Sequence, residues 1–129
     1  MAEASYPDDL RYHDQHDWVR VEGDSATFGI TWYAQDTLGE VVFFEPPEVG
    51  TALTKDQPYA EVESVKAVSD VIAPMSGEVT EVNDALSDSP EQINEEPYGS
   101  GWMVKVALSH PEEAEALLTA AEYQKLLDR

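Results

Sequence analysis

The sequence contains no cysteine. That absence excludes disulfides, thiolate metal sites and a cysteine nucleophile, and leaves packing to hold the fold. Basic residues are scarce: 7 Lys plus Arg stand against 27 Asp plus Glu, for a formal net charge of -20. Nucleic acid and anionic lipid are bound through basic groups that release counterions, so both are excluded as partners. Long apolar runs are also missing. The stretch Val41 to Phe44 is typical of what there is, and a membrane-spanning helix needs roughly 20 apolar residues. The N-terminal MAEASYPDDL carries acid where a secretory or transit signal carries base. Export is therefore not expected, and the cytoplasm is the expected location.

What remains is a chain of 129 residues with 42% hydrophobic and 26% charged residues, which is enough for one modest core. A single domain over residues 1–129 is expected. The acids are interspersed with apolar residues throughout, whereas disordered acidic tails come as blocks. Self-repulsion on this scale is screened at about 1 M salt, where the Debye length falls to about 3 Å. A salt-loving source with a saline cytoplasm is the expectation.

Turn residues punctuate the chain at short intervals. Asp17 to Val21 and Ala26 to Thr31 read as a hairpin around Glu22, Gly23 and Asp24. Tyr33 to Leu38 reads as one or two helical turns ended by Gly39, which accepts a left-handed conformation. Val41 to Phe44 reads as a buried strand, and Val49 to Leu53, Tyr59 to Ser64, Val68 to Ile72, Glu78 to Val82 and Trp102 to Leu108 as further strands. Asn83 to Gly101 reads as a long polar loop. Near the C-terminus, Ser109, Pro111 and Glu112 suggest a capping box opening a helical segment over about 110–128, with Ala114, Leu117, Leu118 and Ala121 as its apolar stripe. Thr119 and Glu122 suggest a second cap that interrupts it. The fold class is mostly β, a sandwich or barrel with short helices.

Within AEVESVKAVSD, Lys66 stands between two strand-like runs, with Glu61, Glu63 and Asp70 nearby. Those carboxylates favour the ammonium, so an unassisted Schiff-base nucleophile is disfavoured. Two readings stay open at this level: an ordinary surface lysine, and a handle on a turn to which another enzyme attaches a cofactor. Ser64, Val65 and Ala67 are small or thin enough for a modifying enzyme to close around the tip. The mirror-image hairpin turns are not announced by the residues, and type I remains possible.

The stretch ESVKAVSDVIAPMSGEV resembles the lipoyl attachment hairpin, whose turn lysine is amide-linked to lipoic acid. Biotin domains usually place methionine on both sides of the lysine, where Val65 and Ala67 stand here. The flanks HDWVRVEG, FGIT, YAQDTLGEVVF, PEVG, EVNDALSDSPEQIN and EPYGSGWMVKV extend the resemblance over nearly the whole chain, to the glycine cleavage system H proteins. The resemblance implies a barrel-sandwich hybrid of two antiparallel sheets with short peripheral helices, and a lipoyl hairpin over about 59–73. It implies a non-catalytic carrier with lipoic acid on Lys66, in the hairpin context of Glu63, Ser64, Val65, Ala67 and Asp70.

The implied partners are a lipoyl-attaching enzyme, the pyridoxal phosphate decarboxylase (P protein), the aminomethyltransferase (T protein) and dihydrolipoamide dehydrogenase (L protein). The resemblance further implies that the loaded arm swings into a cleft where an acidic residue holds its cationic amine. Asp17 is the candidate, with Asp70 second. Trp32 and Tyr33 replace an acid and a histidine common at those positions in the family. A lipoyl relay serving other dehydrogenases is the alternative role, and an unmodified acidic interaction domain a third.

Other groupings are weak. His13 and His16, with Asp14 and Asp17, fall short of the three or four ligands of a zinc site. Asp84, Asp88 and Glu91 lack the spacing of a calcium loop. Gly99 and Gly101 precede a strand and not a helix, so a phosphate site is not suggested.

Overall fold

The computed structural model describes residues 5–128; residues 1–4 of the acidic N-terminal stretch, and Arg129, lie outside that range. Two antiparallel sheets make up the body. One has six strands in the order β1 (Arg11–His13), β2 (Asp17–Glu22), β3 (Ser25–Ile30), β9 (Val104–Leu108), β8 (Gly77–Val82) and β5 (Ala52–Leu53). The other has three, in the order β4 (Val41–Glu45), β6 (Pro58–Ser64) and β7 (Val68–Ile72). The sheets do not close into a barrel, as expected of a barrel-sandwich hybrid. Alternation places Val19, Phe28, Val62, Val71, Val79, Val104 and Val106 in the shared core.

A second cluster sits under the C-terminus. Tyr12 stacks on Tyr123 with ring centroids 4.9 Å apart and 9° between planes, while Leu10, Trp18 and Ala120 pack around them. The Trp18 indole donates to the Pro97 carbonyl at 2.8 Å. The helix that supplies Tyr123 is α4 (Ala120–Leu127), opened by a complete capping box between Thr119 and Glu122.

Several local expectations are corrected. Ser109 and Glu112 make no capping box: His110 occupies the N-cap, and Pro111–Ala116 is a 3-10 turn, which leaves Leu117 extended before the Thr119 cap. The stripe shifts accordingly, with Leu117, Ala120 and Tyr123 buried and Ala121 exposed. The polar segment after β8 holds two short helices, α2 (Ala85–Asp88) and α3 (Gln92–Glu95), seated by buried Leu86 and Ile93. Asp84, Asp88 and Glu91 belong to those helices. Val49 and Gly50 form a turn, so β5 is only two residues long. In β4 a register shift between Val41 and Phe43 turns Val42 and Phe43 outward, and Phe43 is 51% exposed. The same residue types would be equally at home inside, so composition could not show that irregularity. Strand β1 went unread because Arg11 and His13 mask it.

Candidate functional site

Strands β6 and β7 reverse direction at Val65 and Lys66. Glu63 pairs with Val68, and the Ser64 N–H donates to the Ala67 carbonyl at 2.8 Å. The buried Ser64 Oγ accepts the N–H groups of Lys66 at 3.2 Å and Ala67 at 3.1 Å. One hydroxyl thus satisfies two turn donors that the short loop would otherwise expose. Neither Val65 nor Lys66 has positive φ, so the mirror-image turns are excluded. The Val65 N–H donates to the Glu40 carbonyl at 3.1 Å, which moors the tip to the corner between α1 (Trp32–Leu38) and β4.

Asn94 stiffens that corner, donating to Gln35 Oε1 and the Gly39 carbonyl, both at 2.9 Å, and accepting from the Val41 N–H at 2.8 Å. Nothing in the sequence marks Glu40 or Asn94, since main-chain acceptors and distant amides leave no local pattern. The Lys66 side chain is exposed and runs past Gly39, where an added Cβ would lie 3.2 Å from Lys66 Cε. At φ 91, Gly39 also takes a conformation that side chains resist.

Beside the tip lies a cleft of about 440 Å³ between the β1–β2 turn, α1 and β7; Ala67 and Asp70 line one wall, His16, Asp17 and Tyr33 another. A larger hollow of about 640 Å³, beside Gly39 and Asn94, does not include Asp17. Asp17 is 1% exposed, and its Oδ2 has no hydrogen-bond partner among the described residues. Burial, and secondarily the charge of Asp14, holds its carboxyl well above the usual range. A carboxylate so placed lacks a counter-charge, and a cationic donor entering the cleft would supply one.

The structure brings the hairpin residues Lys66, Val65 and Ala67 to one tip and places both Asp17 and Asp70 in the lining of the adjacent cleft, from β2 and β7 respectively. Asp70 pairs across the sheet with Glu61, which pairs with Glu45, so three acids form one exposed row. Glu63 stands in the next row, between Phe43 and Val68. Tyr33 faces the cleft, whereas Trp32 is half-buried at the start of α1.

The two histidines diverge. His13 accepts the Gln15 N–H at Nδ1 and places Nε2 2.6 Å from Asp56 Oδ1. His16 places Nδ1 2.8 Å from the Tyr123 hydroxyl, on the cleft side. Sequence reading passed over His16 as a cleft residue and over Tyr123 altogether, because the two lie 107 positions apart in the chain.

Comparison with known proteins identifies the family. The family model described as glycine cleavage H-protein matches residues 10–129. A glycine cleavage system H protein of Symbiobacterium thermophilum is 54% identical over 120 residues, covering 93% of this chain and 94% of the relative. One of Rubrobacter xylanophilus is 53% identical over 125 residues, covering 97% of each. The crystal structure of a glycine cleavage system H protein from Mycobacterium marinum superposes with a TM-score of 0.88 at 40% identity, covering 96% of this chain and all of that one. The chain belongs to the glycine cleavage H-protein family.

Proposed function

We propose that Lys66 is the lipoyl attachment residue of this chain, which works as the lipoyl-bearing carrier of the glycine cleavage system. Family membership makes it a carrier component of that system. What supports Lys66 is its exposed position on a turn fixed by Ser64 and Glu40, at the edge of a cleft holding a buried carboxyl whose Oδ2 has no partner among the described residues. That conjunction carries the reading. The lipoyl group, when bound, supplies a disulfide that opens to accept an aminomethyl group.

The chain's own residues do the rest. The turn presents the amine to the attaching enzyme, and Ala67, Val68 and Leu38 offer apolar cleft wall to the arm. Asp17 pairs with the cationic amine of the load in a partly desolvated site, where the pair is stronger than in water. The carrier passes that load from the P protein to the T protein, and the L protein reoxidises it. Acylation removes the Lys66 charge, leaving the row Glu45, Glu61 and Asp70 to attract basic rims on those partners.

We also infer a saline cytoplasm as the working environment. Among the described residues the one pair between a lysine or arginine and a carboxylate is Lys105 with Glu81 at 3.9 Å, so the acids are not neutralised internally. No helix among the described residues is long and apolar enough to cross a membrane. The relay alternative has no observation in its favour. Peptide mapping by mass spectrometry of protein from its own host, followed by reconstitution with P and T proteins, tests the reading. Absence of lipoate on Lys66, or no glycine decarboxylation by lipoylated protein, would refute it.

A further inference from the structure

We propose that Tyr123 is a positioning residue of the arm cleft: from behind the cleft its hydroxyl ties the His16 ring, which lines it, to the buried Thr31 cap of α1, fixing the cleft's polar face. The proposal rests on the carrier reading above. The Tyr123 hydroxyl lies 2.8 Å from His16 Nδ1 and 2.8 Å from Thr31 Oγ1. Thr31 is fully buried, and its Oγ1 already accepts the Ala34 N–H at 3.2 Å as the N-cap of α1. The hydroxyl proton of Thr31 therefore goes to Tyr123, and the Tyr123 proton to His16 Nδ1. Run the other way, the chain would strand a buried donor without an acceptor.

The direction assigns the imidazole tautomer: Nδ1 bare, Nε2 protonated. Desolvation lowers the affinity of His16 for a second proton, which keeps the ring neutral. Nε2–H has no partner among the described residues, and the ring lines the cleft next to Asp17, its centroid 4.7 Å from that of Tyr33.

The backbone shows that this placement is enforced. His16 has φ 76, a left-handed conformation uncommon for any residue but glycine, though histidine tolerates it better than most. It is held by its N–H donating to the His13 carbonyl at 2.9 Å and its own carbonyl accepting the Thr31 N–H at 3.1 Å. Such conformations persist only where surrounding contacts over-determine them. The cleft then offers an acceptor at Asp17 and a donor at His16 side by side. Their complement is an arm end carrying a cationic nitrogen next to sulfur lone pairs. The C-terminal helix, which does not line the cleft, sets its chemistry through one hydroxyl.

Tyr123→Phe removes that hydroxyl and keeps the ring stacked on Tyr12. The first measurement is the long-range ¹H–¹⁵N spectrum of unmodified, histidine-labelled protein. Wild type should show His16 protonated at Nε2, and Tyr123→Phe a mixed or reversed tautomer. The second is amine loss, followed as formaldehyde release without T protein, from lipoylated protein loaded by P protein and glycine. The variant should load but lose its amine roughly 2- to 10-fold faster, the weight of one hydrogen bond.

An Nδ1–H tautomer in wild type overturns the proposal, whether or not the variant folds. So does an unchanged loss rate in a folded Tyr123→Phe protein. Failure of the wild type to take up the amine would instead strike the carrier reading, and the tautomer would still decide the clamp.

Discussion

Consider Asp17→Asn. The wild-type carboxyl is 1% exposed, its Oδ2 is unpartnered among the described residues, and burial raises its pKa. In the unloaded protein this group works against stability as pH rises. Above the ordinary 3.8 the unfolded chain gives up the proton that the folded chain keeps. Stability therefore declines from that pH up to the raised folded-state value, and the contribution is fully present only below the unfolded chain's 3.8. Asparagine has the same shape and no titration, so urea unfolding from about pH 4 to 8 should show a flatter profile for the variant.

Loading reverses the balance, because the ammonium of the aminomethyl group supplies the missing counter-charge. Hydrogen bonds to charged groups contribute about 1.5–3 kcal/mol. At about 1.4 kcal/mol per factor of ten, the variant should lose its load roughly 10- to 100-fold faster. The assay charges lipoylated protein with labelled glycine and P protein, removes the enzyme, and follows labelled formaldehyde. Equal half-lives for equally lipoylated wild type and Asp17→Asn would refute the assignment of Asp17.

Other consequences are as direct. Lys66→Arg should leave the melting temperature unchanged, since the side chain is exposed, while intact mass shows no lipoyl addition after incubation with a lipoate ligase and its substrates. Ser64→Ala strips two turn N–H groups of their acceptor, so unfolding in urea should show a loss of about 1–3 kcal/mol and lipoylation should slow. Thr119→Ala breaks the capping box at an exposed position and should cost about 1 kcal/mol in the same experiment. Molar potassium chloride should raise the melting temperature, because it shrinks the Debye length from about 10 Å at 0.1 M to about 3 Å and quiets the row Glu45, Glu61 and Asp70. A flat salt response would remove the basis for a saline environment.

Much of this molecule is legible along the chain. Alternation and turn residues mark β2, β3, β6 to β9 and the helix before Gly39, because those signals are local and repeat with the period of the element that produces them. The Thr119 cap is readable for the same reason, three residues from its partner Glu122. Lys66 stands out once flanking motifs are read together. Where local signals competed, tertiary packing chose: Ser109 and Thr119 both looked like caps, but only the helix after Thr119 had Tyr12 and Trp18 to cover its face.

By itself the sequence determined the alternation of strands and turns, the acidic surface and the lysine between two strands, because each depends on residues within a few positions of one another. Only the tertiary structure decided that Asp17 is buried with its Oδ2 unpartnered among the described residues, that the Glu40 carbonyl moors the lysine turn, and that Tyr123 reaches His16 and Thr31. Those contacts join residues brought together by sheet packing, and separations of that length leave no period or spacing in the chain.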